Sequence, residues 1–154
     1  MSPLRLPITI LLADDDEDDR QMTIEALKDN RLGNDIRTVA DGEELMNYLQ
    51  RKGQYADAAT SPRPGLILLD LNMPKKDGLE ALTEIKADSG LKQIPVIMLT
   101  TSKAEEDVSQ SYHLGANSFI TKPVTIAELA EKMKGLSHYW FEIVELSRRT
   151  TGNG

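Results

Sequence analysis

Apolar and polar positions along the chain alternate between two periods. Residues 8–13 (ITILLA) form a near-continuous apolar run, which predicts a strand buried on both faces. A helical segment is expected over 18–30, with Met22, Ile24, Ala26 and Leu27 as its apolar positions. Arg31, Leu32, Gly33 and Asn34 punctuate it, and 36–40 reads as a second strand. Residues 42–51 carry Leu45, Met46 and Leu49 at helical spacing. Pro62, Pro64, Gly53 and Gly65 mark 52–65 as a surface loop. The most hydrophobic strand follows at 66–70 (LILLD), then a helix at 79–87 and a strand at 95–100 (PVIMLT). A helix over 104–114 has Gly115 placed to cap it in the left-handed conformation. A fifth strand is expected at 117–121, and the chain turns helical again from 126 onward. Strands alternating with helices in this way predict an α/β fold, a doubly wound five-stranded parallel sheet with right-handed crossovers.

Composition narrows what such a fold can do. The 154 residues amount to one domain on the usual scale of about 100–200 residues per domain. A chain of this size buries roughly 68–70% of its unfolded surface and needs no covalent staples. The absence of cysteine excludes disulfides, thiolate metal sites and a cysteine nucleophile. The net charge of −7 comes from 18 basic and 25 acidic residues, six of the acids forming the run from Asp14 to Asp19. Without that run the balance is 18 − 19 = −1, so the acidity is local. No basic surplus points to nucleic acid. The apolar stretch at 6–13 contains Pro7 and Thr9, lacks a basic flank, and is too short for a membrane span or a signal peptide. A soluble cytoplasmic domain is the expectation.

In an open parallel sheet, ligands bind beyond the carboxyl ends of the strands. Strand one ends in Asp14 and Asp15, strand three in Asp70, strand four in Thr100, and strand five runs into Lys122. Carboxylates a few ångströms apart repel by roughly 4 kcal/mol per pair at an effective dielectric near 20. Such a cluster demands a cation, and all-oxygen ligands favour Mg²⁺ or Mn²⁺. A lysine opposite a metal, with a threonine hydroxyl nearby, is equipment for holding a phosphoryl group.

Taken in order, Asp14 and Asp15 after an apolar strand, Asp70 with Asn72, Met73, Pro74 and the following Asp77 and Gly78, Thr100 after PVIML, and Lys122 with Pro123 after a short strand resemble the receiver domain of two-component response regulators. The resemblance spans about the whole domain, residues 7–134. The run LILLDLNMPKKDGLEALTEIK, the long loop before it and the aromatic extension at 139–144 look like the single-domain regulators paired with phytochrome-type histidine kinases. The resemblance implies a flavodoxin-like receiver fold of strand order 2-1-3-4-5 with an extended C-terminal helix. It implies that Asp70 accepts a phosphoryl group from a phosphohistidine. It also implies that Asp15, Asp70 and the main-chain carbonyl of Asn72 hold Mg²⁺, or Mn²⁺, with Asp14 reaching the ion through a water. Lys122 would pair with a phosphoryl oxygen, its bond to Pro123 being cis, and Thr100 would bring its hydroxyl onto the same group. Phe119 holds the place of an aromatic switch residue. Many members have tyrosine there, so the ring is kept and a hydroxyl is lost. Thr101 would narrow access to Asp70, and Asn72 and Ser102 would flank the path of attacking water and tune the phosphoryl lifetime.

Plainer readings stand beside these. Asp16 to Asp19 suit an ordinary helix start, because acids favour the positive end of a helix dipole. Phe119 is equally a core aromatic, and His113 and His138 read as helix-surface residues without a role. A Mg²⁺-dependent small-molecule phosphatase of the haloacid-dehalogenase kind would also use a strand-end aspartate. That family places a second aspartate two residues later, where this chain has Asn72. A receiver-like module that binds without phosphorylation is the other alternative, and the complete set of Asp14, Asp15, Asp70, Thr100 and Lys122 stands against it.

The expected organisation is a receiver at 1–134, a helical aromatic extension at 135–149 and a disordered tail at 150–154. In the extension, Tyr139, Phe141 and Leu146 fall off the apolar stripe that Trp140 continues, a pattern that suits a dimer or partner contact. With no output domain expected, output would be binding: to a sensor histidine kinase, phytochrome-like on the narrower resemblance, to a second copy in a homodimer, or to a histidine phosphotransfer protein. Catalysis would be limited to the protein's own aspartyl phosphorylation and dephosphorylation. Neither nucleic acid nor a membrane is an expected partner.

Overall fold

A computed structural model describes residues 9–29, 35–71, 73–100, 113–116, 118–121, 127–128 and 131. Strands β1 (Thr9–Ala13), β2 (Asp35–Val39), β3 (Leu66–Asp70), β4 (Val96–Thr100) and β5 (Ser118–Thr121) form one parallel sheet in the order β2-β1-β3-β4-β5. Helices α1 (Glu17–Asp29), α2 (Gly42–Leu49) and α3 (Gly78–Ala87) connect successive strands. The predicted strands and these three helices therefore form within two residues of the expected bounds. Most of the helix expected at 104–114 and nearly all of the chain beyond 121 lie outside the described residues. Gly115 has φ 108°, the left-handed region expected of a helix-ending glycine.

Alternation along the central strands divides the core in two. Leu11, Ala13, Ile67, Leu69, Val96 and Met98 pack with Leu45, Met46 and Leu49 of α2 and Ala81, Leu82 and Ile85 of α3. Ile10, Leu12, Leu66, Leu68, Ile97 and Leu99 pack on the other face with Ala26 and Leu27 of α1. A strand covered on both faces has no polar side to show, which is why β1 and β3 read as continuous apolar runs. Each fully buried leucine or isoleucine contributes roughly 1.5–3 kcal/mol from its removal from water.

Helix starts are set by short-range hydrogen bonds. Asp41 accepts from the Glu44 amide at 2.7 Å, and Glu44 accepts in return from the Ala40 amide at 3.2 Å. Asp77 and Glu80 form a reciprocal capping box at α3. Asp16 accepts from the Asp19 amide at 3.0 Å and leads the acids Glu17, Asp18 and Asp19 into the first turn of α1. The plain reading of this part of the acidic run, a capped helix start, matches that geometry.

Residues 52–65 are more ordered than a bare surface loop. They contain a 3₁₀ turn, Gly53–Tyr55. The Tyr55 hydroxyl donates to Glu44 at 2.7 Å, and its ring meets that of Tyr48 at 5.0 Å. The Tyr48 hydroxyl donates to the Pro62 carbonyl at 2.8 Å, and Arg37 donates to the Thr60 carbonyl at 2.9 Å. Burial, and then the Glu44 hydrogen bond and charge, push the Tyr55 hydroxyl well above its ordinary pKa.

Candidate metal centre

β1 and β3 are neighbours, with Ala13 in register with Leu69. The residues that follow these positions are Asp14 and Asp70, so strand pairing alone carries two carboxylates from distant parts of the chain to one edge. Continuing the alternation, Asp14 follows Ile10 and Leu12, and Asp70 follows Leu66 and Leu68, on the same face. Asp14 is fully buried, Asp70 is 5% exposed and Asp15 is exposed. One carboxylate oxygen from each of the three lies within 4.8 Å of the others.

Local hydrogen bonds hold the turn after β1. The Asp14 amide donates to the Val39 carbonyl at 3.1 Å, which extends the β1–β2 ladder by one residue. The Asp14 carboxylate accepts from the Asp16 amide at 3.0 Å, and Arg20 donates to the Asp14 carbonyl at 2.7 Å. The segment after β3 is held by close backbone approaches. The Gly78 amide donates to the Leu71 carbonyl at 2.8 Å, and a Cβ on Gly78 would stand 2.3 Å from the Asp70 carbonyl oxygen. Likewise a Cβ on Gly42, the first residue of α2, would stand 2.1 Å from the Lys76 carbonyl oxygen. Between these two points Lys75 takes φ 67°, an unfavourable region for a side-chain-bearing residue. Its ammonium lies 3.8 Å from Asp41, and Lys76 pairs with Glu84.

Among the described residues, three carboxylates cluster without sulfur or imidazole, the donor set of a hard divalent cation such as Mg²⁺ or Mn²⁺. Partly buried like charges at this separation need an opposite charge between them. The residues present therefore fit such an ion.

Other predicted residues are placed by backbone alone. Thr100 ends β4 in register with Thr121, and Phe119 lies in β5 in register with Met98. Asn72, Thr101, Ser102 and Lys122, the Lys122–Pro123 bond, and Tyr139, Trp140, Phe141 and Leu146 lie outside the described residues. Arg20, Gly42 and Gly78 were not singled out for these contacts by the sequence pattern. A signal for Arg20 existed, since a basic residue near the start of a helix runs against the helix dipole.

Five parallel strands in this order, helices packed against both faces, and a carboxylate cluster at the carboxyl edge define a flavodoxin-like protein with a cation site at its strand ends. The chain belongs to the response regulator receiver domain family, whose model matches residues 10–134. It is 44% identical over 140 residues to the response regulator Rcp1 of Synechocystis sp., a match covering 91% of this chain and 93% of that protein. The crystal structure of the phosphorylated cyanobacterial phytochrome response regulator RcpA is similar with a TM-score of 0.80 at 44% identity, covering 88% of this chain and 95% of that one. The crystal structure of the Mn²⁺-bound form of Rcp1 is similar with a TM-score of 0.77 at 43% identity, covering 87% and 94%. Receiver domains take their phosphoryl groups from sensor histidine kinases, and this chain is a receiver homologous to phytochrome response regulators. Among the described residues, no helix is long and apolar enough to cross a membrane.

Proposed function

We propose that this protein is a stand-alone response regulator in which Asp70 accepts a phosphoryl group from a phytochrome-type sensor histidine kinase. The observation that carries the reading is the meeting of Asp14, Asp15 and Asp70 within 4.8 Å at the carboxyl edge of β1 and β3. A bound Mg²⁺ would supply positive charge against the acceptor carboxylate and the incoming phosphoryl oxygens. Asp15, Asp70 and the Asn72 carbonyl would hold it directly, and Asp14 through a water. An Asp70 carboxylate oxygen attacks phosphorus, the phosphorus–nitrogen bond of phosphohistidine breaks, and the departing imidazole takes up a proton. Lys122 neutralises a phosphoryl oxygen, Thr100 donates its hydroxyl to another, and Asn72, Thr101 and Ser102 set how readily water reaches the acyl phosphate. Phe119 is the aromatic that follows Thr100 in switching.

The Mn²⁺-bound Rcp1 and phosphorylated RcpA structures support the metal and the modification by similarity. The same likeness supports a phytochrome-like kinase as the phosphoryl donor. The off-stripe residues Tyr139, Phe141 and Leu146, with Trp140, support residues 135–149 as a contact for a second copy or a downstream partner such as a histidine phosphotransfer protein. The protein's catalysis is confined to its own phosphorylation and dephosphorylation, in the cytoplasm.

Intact-mass spectrometry after incubation with Mg²⁺ and acetyl phosphate tests the central claim. Wild type gains one phosphoryl group and Asp70→Asn gains none. An adduct that persists in Asp70→Asn would place the acceptor elsewhere.

A further inference from the structure

The acids Glu17, Asp18 and Asp19 occupy the first turn of α1, as the helix dipole favours. Arg20 follows at once and breaks the preference. Its side chain has a specific partner: the guanidinium Nη1 donates to the Asp14 carbonyl at 2.7 Å, six residues back. The Asp14 carboxylate is meanwhile held by the Asp16 amide at 3.0 Å. The peptide joining Asp14 to Asp15 is therefore gripped at its carbonyl, and the residue before that peptide at its side chain. Asp15, the exposed member of the carboxylate cluster, is attached directly to the clamped peptide.

We propose that Arg20 is a positioning residue for the divalent-cation site, locking the Asp14–Asp15 peptide so that the Asp15 carboxylate stays opposite Asp14 and Asp70. The inference rests on the reading of those three carboxylates as the cation site. Arg20 touches neither the ion nor the phosphoryl group. It acts through the backbone, as groups outside a metal's direct ligands commonly orient those that bind it.

Removing Arg20 has two opposed consequences for the site. Losing a positive charge nearby would tighten binding of a divalent cation, whereas losing a clamp would loosen it. The half-buried guanidinium is aimed at the Asp14 carbonyl through a short charge-assisted bond, so its charge is directed at that oxygen while its geometry fixes the peptide that carries Asp15. The clamp therefore outweighs the charge, and the sign of the affinity change separates the two.

Isothermal titration of the full chain with MnCl₂ reads that sign directly. Arg20→Met is expected to bind Mn²⁺ roughly ten-fold more weakly than wild type, and Arg20→Lys to recover part of the loss. At saturating Mn²⁺ the phosphoryl adduct formed from acetyl phosphate should match wild type, which a general folding defect would not allow. If Arg20→Met fails to fold by circular dichroism, Arg20→Gln makes the same comparison with a shorter neutral polar side chain. Unchanged or tighter binding in the folded variant, with binding lost in Asp15→Asn, would overturn the role of Arg20 and leave the cation site standing. Failure of wild type itself to bind Mn²⁺ would remove the cation site, and the Arg20 inference with it.

Discussion

The two ends of the same strands handle charge in opposite ways. At the amino end of β1 and β2, the Asp35 carboxylate accepts from the Thr9 hydroxyl at 2.8 Å and from Arg37 at 2.9 Å. Arg37 also donates to the Thr60 carbonyl and so ties the 52–65 segment to the sheet. Each charge there has an opposite charge or a dipole beside it, and the arrangement stabilises the fold as it stands. At the carboxyl end, Asp14, Asp15 and Asp70 bring like charges within 4.8 Å of one another. That juxtaposition costs stability until a cation offsets the charge. One edge is finished by folding alone, and the other is finished by a ligand. The same contrast appears in the backbone, where the left-handed Lys75 and the close approaches of Gly42 and Gly78 gather around the segment after Asp70.

The largest test of this contrast is metal addition. At a Mg²⁺ concentration 100-fold above its dissociation constant, wild type should gain about 2.7 kcal/mol of unfolding free energy. Urea unfolding with Mg²⁺ and with EDTA measures the difference. Asp15→Asn should lose most of the gain yet be at least as stable as wild type in EDTA, because a repelling charge has gone. Arg37→Leu, at the opposite edge, should keep the Mg²⁺ gain in full. An equal gain in Asp15→Asn would place the cation elsewhere.

Gly78→Ala tests whether the backbone behind Asp70 is as tight as its contacts indicate. Its Cβ would meet the Asp70 carbonyl oxygen at 2.3 Å, so the chain must shift, at a cost of about 1–3 kcal/mol. Because the shift is borne by Asp70 and Leu71, the phosphoryl adduct yield should fall as well. Preserved yield with lowered stability would show that the strain is relieved away from the site.

The smallest effect lies at the paired edge. Burial would raise the Asp35 pKa, but the hydrogen bonds from Thr9 and Arg37 and the Arg37 charge together hold it below the usual carboxylate value. A carboxylate with a lowered folded-state pKa contributes stability that is fully present above its unfolded value of about 3.9. That stability is lost as pH falls through the lowered value. The Arg37 and Asp35 side chains are 39% and 35% exposed, so screening keeps the contribution to roughly 0.2–1 kcal/mol. Asp35→Asn should flatten the acid limb of the pH–stability curve by that amount and leave Mn²⁺ affinity unchanged.

Much of this architecture was legible along the chain because its causes are local. An apolar run ending in Asp70 marks a strand and what it delivers, and β3 is Leu66–Asp70 as that pattern predicts. Asp77 and Glu80 announce the start of α3 by a capping box whose atoms are three residues apart. The 52–65 segment was less legible. Its proline and glycine content predicts a loop, whereas its order comes from Tyr55 reaching Glu44 and Tyr48 reaching Pro62, partners 11 and 14 residues away.

The strand ends, their carboxylates and the kind of ion they suit follow from residue type and period, which are properties of short stretches of chain. That Asp14 and Asp70 meet, that Gly42 and Gly78 yield space to distant carbonyl oxygens, and that Arg20 reaches back to Asp14 depend on where separate stretches come to rest. Strand pairing and helix packing decide those distances, because the energy of such contacts exists only after the chain has closed on itself.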